Sequence, residues 1–281
     1  MTPNLPIIVT VLAHNEERRI ARCLESLPLD DPAYAVHVVV NGTNDRTAEI
    51  ADGFADVTVH DWEQGGKARS WNRFMLDTPG IDGRHFVFVD GDAEVVSGSI
   101  PALVAALDAN PINAATAYPA NGRRVEAYRE QMAREHGLFG DLYALHGDFV
   151  ALMRGEGIRL PEDLIGDDGL LCAMAKTDLS NENDWQDARV MPVEAAGFLC
   201  DPVSLTPRDL ALQARRMRNY SVRHFQNRII SDIMRGAGPK SLPQRLASLY
   251  PQYLPGFRPR RDPTIWWFDR QALKAMRRAA G

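Results

Sequence analysis

Two carboxylates separated by one glycine, Asp90-Gly91-Asp92, follow directly on four apolar residues, Phe86 to Val89. Hard oxygen donors so arranged suit Mg²⁺ or Mn²⁺, which take few protein carboxylates and fill their remaining positions with phosphate oxygens. The apolar run is too short for a helix and rich in β-branched and aromatic side chains, so it reads as a buried strand. In an open α/β sheet, ligands bind beyond the carboxyl ends of the strands. Residues two apart on a continuing strand point the same way, and Gly91 lets the backbone come close to a ligand. A polar turn after a core strand is the alternative reading of the same three residues.

Four more polar loops are expected after successive strands: His14-Asn15-Glu16, Asn41 to Asp45, Gly65-Gly66-Lys67 and Asp167-Asp168. In a doubly wound sheet these loops converge on one edge. Together they supply a glycine pair, a lysine, a metal-type carboxylate pair and a second acidic pair. A nucleoside diphosphate needs that set. The metal and Lys67 would neutralise phosphates and a separate carboxylate would remain for proton abstraction. Simple capping of the following helix is the alternative for Asp167-Asp168.

The elements that must position these groups alternate regularly. Strands are expected at Ile7–Leu12, His37–Val40, Val57–His60 and Phe86–Val89, with helices after the first three. That alternation predicts βαβ units with right-handed crossovers. Asn15 is expected to cap the first helix, whose apolar face is Ile20, Cys23, Leu24 and Leu27. Ser99 is expected to cap a helix over Ile100–Ala109. Further on, the pattern predicts strands at Ala114–Ala120 and Phe149–Met153, and a charged helix over Val125–Gly137. A helix over Gly169–Ala175 and a return to the sheet over Asp184–Glu194 follow. Beyond Thr206-Pro207 the chain reads as helical and basic. Gly236–Pro263 is Pro-rich and irregular, residues 238–241 read as a hinge, and Trp266-Trp267-Phe268 starts a last helix that is expected to pack back on the body, a dip into a membrane interface being the alternative.

Charge is unevenly spread along the 281 residues. Arg208–Gly281 carries 16 Lys and Arg against 4 Asp and Glu, while residues 1–207 carry 16 against 33. An acidic body with a basic tail that meets phosphates or an anionic surface fits this split, and so does a solvated Arg-rich tail. The three cysteines match no zinc spacing and no disulfide framework, which points to a reducing compartment. No apolar run approaches the ~18 residues of a membrane span, and Pro3-Asn4-Leu5-Pro6 lacks the form of a signal peptide. A cytoplasmic protein is expected, with peripheral contact on the inner face of a membrane as the reach of the basic region.

The ordered motifs resemble the family 2 glycosyltransferases with the GT-A fold, from Ile7 to about Tyr220. Val9 to Glu16 looks like that family's opening strand and asparagine-glutamate turn. Val39 to Thr47 looks like its nucleotide-binding loop, with Asn41 where the family usually has aspartate. Gly66-Lys67-Ala68 resembles its glycine-lysine segment, and Asp90-Gly91-Asp92 its Asp-x-Asp motif. Gly147 to Arg154 is similar to its acceptor-site strand, Gly166-Asp167-Asp168 to its Glu-Asp motif. Gln213 to Met217 is similar to its Gln-x-x-Arg-Trp motif, with Met217 in place of the tryptophan of processive members.

The resemblance implies a doubly wound mixed α/β sheet with a basic helical C-terminal extension. It places a donor-binding half at about 1–95, an acceptor half at about 96–207 and the extension at 208–281. It implies inverting transfer from a nucleotide sugar, a UDP-sugar first, to a hydroxyl of a glycan or lipid-linked acceptor. Mg²⁺ or Mn²⁺ would serve as cofactor and no nucleic-acid partner is expected. Asp92 and Asp90 would hold the metal. Asn15, Glu16, Asn41, Asp45, Lys67, Asp90 and Arg216 would meet the donor. Gly147, Asp148 and Asp167 would line the acceptor site, and Asp168 would be the base.

Other chemistries keep part of the pattern. A phosphatase of the haloacid dehalogenase type also places Asp-x-Asp after an apolar strand. Here three strands precede the pair and Glu94 stands where such enzymes carry Thr or Val. A nucleotidyltransferase of related fold would carry a Gly-rich, Arg-containing loop after the first strand, which is absent. A sugar-nucleotide-binding protein without catalysis would keep the loops alone.

Overall fold

Strand β1 (Ile7–Ala13) is buried along its whole length, as an unbroken apolar run covered on both faces should be. The computed structural model describes residues 5–122, 124–201 and 207–281, the side chains of 207–209 excepted. The boundary read at 206–207 and the segment Pro3-Asn4 reach outside the described residues. Beside β1 lie β2 (Tyr34–Asn41) and β4 (His85–Asp90), and β3 (Val57–Trp62) pairs with β2, all four parallel. The mixed half contains β5 (Ala93–Val95), β6 (Ala114–Pro119), β7 (Leu142–His146) and β8 (Val190–Cys200). The sheet order is β3-β2-β1-β4-β7-β6-β8-β5. Strand β7 runs antiparallel to both β4 and β6.

Alternate residues of the strands feed two apolar layers. Val9, Val11, Val38 and Val40 face α1 (Ile20–Glu25), α2 (Thr47–Asp52) and α4 (Ser99–Ala109). Ile8, Leu12, Val39, Phe86 and Phe88 face the other layer. That layer holds α3 (Lys67–Asn72), continued as a π turn over Arg73–Asp77, and α6 (Gly147–Glu156) and α7 (Asp167–Thr177). The helix α5 (Val125–Glu135) buries only Met132. The C-terminal segment consists of α8 (Pro207–Arg235), the short α9 (Tyr250–Tyr253) and α10 (Pro263–Ala279). Its apolar side chains, among them Phe225, Ile229, Leu246, Phe257, Leu273 and Met276, belong to the same buried cluster as Phe86 and Phe88.

Several local expectations are corrected. Phe149–Met153 is helical: Phe149, Val150 and Met153 are buried at helical spacing, while Leu152 is 41% exposed. A short apolar run does not distinguish a strand from a buried helix. Asn15 caps nothing. It sits at φ 59° and its side-chain oxygen accepts from the Asn44 N–H, tying two loops together. Ser99 lies inside α4, where its hydroxyl bonds the Gly197 backbone at both groups instead of capping. The helix expected from Gly169 begins at Asp167, and the strand expected from Asp184 begins at Val190 after two 3₁₀ turns. Trp266 and Trp267 do not pack on the body but stand 41% and 58% exposed.

One ion pair fastens α10. The Asp269 side chain is fully buried, and Arg260 binds it through Nε and a terminal nitrogen at 2.9 and 2.7 Å. Burial would raise the Asp269 pKa, but the Arg260 hydrogen bonds prevail and hold it at about 2, below the ordinary 3.8. A carboxyl depressed in the folded state stabilises above its unfolded pKa. That contribution is lost as pH falls from about 4 towards 2. Asp269→Ala should cost on the order of 3 kcal/mol at neutral pH. In urea unfolding, the difference between variant and wild type should shrink as pH falls through that window. A constant difference would assign the loss to packing alone.

Candidate active site

The parallel register brings the loop ends together. Leu12 lies beside Asp90, and the Gly91 N–H donates to the Leu12 carbonyl at 2.9 Å. A Cβ on Gly91 would stand 2.9 Å from Ala13 Cβ, so only glycine permits this approach. Asn41 joins three strand exits. Its amide nitrogen donates to the Ala13 carbonyl at 3.0 Å, its amide oxygen accepts from the Gly66 N–H at 3.2 Å, and its own carbonyl meets the His14 ring at 2.7 Å. The result is a cleft of about 670 Å³ lined by Glu16, Asn41, Gly65, Gly66, Lys67, Asp90, Asp92, Asp167, Arg215 and Asn219, among others.

The floor of the cleft is charged. Lys67 Nζ lies 2.6 Å from Asp90 and 3.7 Å from Asp167. Behind it, Trp71 stacks on Phe88 and Phe88 on Tyr143, at centroid distances of 5.6 and 4.8 Å. This apolar backing strengthens the charges in front of it. Burial disfavours the Lys67 ammonium, but Asp167 and Asp90 outweigh it and keep the proton on well above the ordinary range. Burial pushes the Asp90 carboxyl up against the opposing pull of Lys67, with Asp141 and Asp92 adding to the rise. Glu16 is pushed up to about 7 by burial and by Asp92, with Arg19 opposing.

A third acid, unforeseen in the sequence, completes the set. One carboxylate oxygen each from Asp90, Asp92 and Asp141 lie within 4.8 Å of one another. Asp141 immediately precedes β7, and because that strand is antiparallel to β4, its start meets the end of β4. The Asp90 N–H donates to the Asp141 carbonyl at 3.1 Å. Burial and Asp92 raise the Asp141 pKa as well. Three converging carboxylates form an all-oxygen set that suits a hard divalent cation.

The same antiparallel strand removes two expected residues. His146 pairs with His85 at the opposite end of β4, so Gly147 and Asp148 lie at the far edge of the sheet. The Asp148 side chain is 97% exposed there. They are not brought to the cleft. Asp45 also stays outside it. Its carboxylate accepts from the N–H groups of Thr47 and Glu17 and holds the two loops. Asn15, as described, does the same.

Helix α8 brings cations to the acids. Arg216 lies 3.7 Å from Asp92, Arg19 approaches the same carboxylate at 3.5 Å, and Arg215 lines the cleft. Arg223 pairs with Asp168 at 3.1 Å. Its guanidinium lies across the start of α7, where Gly166, at φ 88°, leaves room: a Cβ there would meet Arg223 Nε at 2.4 Å. Asp167 is buried, and its Oδ2 has no hydrogen-bond partner among the described residues. Sequence reasoning missed Arg19, Asp141 and Arg223. Gly140-Asp141 before the apolar run Leu142–Leu145 was the one local signal.

Known proteins share this architecture. A mannosyltransferase of Pyrobaculum calidifontis, solved with GDP-Man and Mn²⁺, superposes with a TM-score of 0.64 at 20% identity, covering 100% of this chain and 77% of that one. Glucosyl-3-phosphoglycerate synthase of Mycobacterium tuberculosis, solved with Mn²⁺, UDP-Glc and phosphoglyceric acid, gives 0.55 at 21% identity, covering 77% and 78%. Both likenesses concern the fold, which is that of GT-A glycosyltransferases. Protein RfbJ of Shigella flexneri is 28% identical over 107 residues, 38% of this chain and 80% of that protein. No described helix is long and apolar enough to cross a membrane. Residues 8–159, more than half of the chain, match the family model described as Glycosyl transferase family 2, and the chain belongs to that family.

Proposed function

We propose that the chain transfers a sugar, a hexose first, from a nucleoside-diphosphate sugar to a hydroxyl of a glycan or lipid-linked acceptor, with inversion at the sugar carbon. The observation that carries this reading is the acidic triad Asp90, Asp92 and Asp141 facing Lys67 and Arg216 in one cleft. A Mg²⁺ or Mn²⁺ ion held by the triad would neutralise charge developing on the leaving diphosphate. Relatives of the same fold were solved with either ion. Lys67 and Arg216, freed from their carboxylates, add positive charge beside the diphosphate. The Asn41 region offers polar groups to the nucleoside, with UDP-sugars the first donors to try. Asp168 takes the proton of the attacking hydroxyl, and Arg223 fixes its orientation.

A thermal-shift panel of UDP-, GDP- and dTDP-sugars with Mn²⁺, followed by turnover with the donor that stabilises, tests the reading. Stabilisation without transfer or hydrolysis would leave a sugar-nucleotide-binding protein instead. Phosphate release from simple phosphomonoesters would favour a phosphatase. With a confirmed donor, Lys67→Met should raise its KM about tenfold with kcat little changed, the pattern of an interaction shared by ground and transition states. An unchanged KM would confine Lys67 to balancing Asp90 and Asp167.

A further inference from the structure

Two sets of basic residues in the C-terminal segment have different surroundings that the sequence does not separate. Arg215, Arg216 and Arg223 of α8 turn to the cleft and its acids. Those of α10 turn to solvent. At about 3.6 residues per turn, Trp266, Arg270, Lys274 and Arg277 fall along one stripe, with Trp267 and Arg278 beside it. The stripe beside it on the other flank, Asp269, Ala272, Leu273 and Met276, is buried against the rest of the protein. The helix is thus fixed by one face while the other presents two tryptophans and four cations.

That outer face carries no carboxylate. Asp269 is fully buried with Arg260, and Asp262 is engaged in the cap, accepting from Thr264 N–H and hydroxyl at 2.8 and 2.6 Å. Among the described residues, none of Arg270, Lys274, Arg277 and Arg278 has an acidic partner within 4 Å. The Arg270 guanidinium lies over the Trp266 ring at 4.7 Å, and the two tryptophans are 41% and 58% exposed. Large exposed aromatics on a fixed helix are costly in water. Tryptophan favours the headgroup level of a bilayer, where one side of the ring is apolar and the other wet. Arg and Lys beside it extend their charges to anionic headgroups.

We propose that the outer face of α10 binds the surface of an anionic lipid bilayer, lying in the interface without crossing it. The complementarity is specific: a stripe of one sign, unneutralised, with aromatic rings at one end, matches a negatively charged surface that is apolar just beneath. The binding is independent of sugar transfer, because none of its residues touches the cleft. It would hold the enzyme beside lipid-borne material.

The test is co-sedimentation of the full chain with vesicles of phosphatidylcholine alone and of phosphatidylcholine mixed with phosphatidylglycerol, at low and high salt. The protein should sediment with the mixed vesicles at low salt, and added salt should release it. Arg270→Gln with Lys274→Gln and Arg277→Gln should weaken this binding about 100-fold, with unchanged far-UV circular dichroism and donor affinity. Trp266→Ala with Trp267→Ala should weaken it while keeping the salt dependence. The proposal is overturned by wild-type protein that stays in solution with mixed vesicles at low salt, or by equal binding to both vesicle types. It is also overturned if the triple variant binds like wild type, or if the face instead holds two copies together in a dimer that the variants dissociate. The salt series on unaltered protein decides the matter even if a variant fails to fold.

Discussion

Replacing Asp92 by asparagine should abolish sugar transfer, lowering kcat/KM by about 10³-fold or more, since a bound cation contributes several kcal/mol to stabilising transition-state charge. Asp92 is one of three carboxylates whose oxygens converge within 4.8 Å. Removing one leaves a poorer set for a hard cation. The Mn²⁺ concentration for half-maximal activity should rise together with the loss. Asp141→Asn is the sharper test, because no motif singles that residue out and only its position before β7 places it in the set. It should impair metal dependence in the same direction. Asp148→Asn, at the far edge of the sheet and almost fully exposed, should change neither. If Asp92→Asn and Asp141→Asn keep wild-type Mn²⁺ dependence, the triad is not a metal site and the transfer reading loses its main support.

Asp168→Asn should lower kcat by on the order of 10²–10⁴-fold, the range for loss of a general base, while donor affinity stays as it was. Asparagine keeps the shape and suits the first turn of α7, so the substitution separates proton abstraction from helix initiation. Asp167→Asn should act differently. That carboxyl is buried, its pKa is raised first by burial against the pull of Lys67, and it lies 3.7 Å from Lys67. Its loss releases Lys67 from one of two partners and should alter donor KM more than kcat. Turnover and donor binding of both variants, measured with the confirmed donor, decide the assignment. A more damaging Asp167→Asn, or wild-type turnover in Asp168→Asn, would move the base elsewhere.

The side of the cleft built by the parallel strands was legible because its signals are local. Asp90-Gly91-Asp92 and Asn41 stand at the ends of the apolar runs Phe86–Val89 and Val38–Val40, Gly65-Gly66-Lys67 follows the more polar β3, and parallel pairing carries every such exit to one edge. The other side was not, because strand direction there departs from the βαβ pattern. With β7 antiparallel, the residue before the strand reaches the site and the residues after it leave. The resemblance of Gly147–Arg154 to an acceptor-site strand predicts Gly147 and Asp148 there, but that segment belongs to helix α6, which starts at the end of β7 away from the site. Arg223 was unreadable for another reason: its partner Asp168 is 55 positions away, and only the fold brings α8 across the start of α7. The helix over Gly147–Glu156 was misread since five apolar residues fit either period.

The common apolar cluster of sheet and C-terminal segment has a consequence for biosynthesis. Phe86 and Phe88 emerge from the ribosome long before Phe225, Phe257 and Leu273, which complete the same cluster. A nascent chain synthesised through β8 would hold the whole sheet with α3, α6 and α7, but the outer part of that cluster would still be wet and sticky. Such exposed intermediates are prone to aggregate. Chaperone protection, and slow maturation governed by contacts distant in sequence, are therefore expected until α10 has been released and docked.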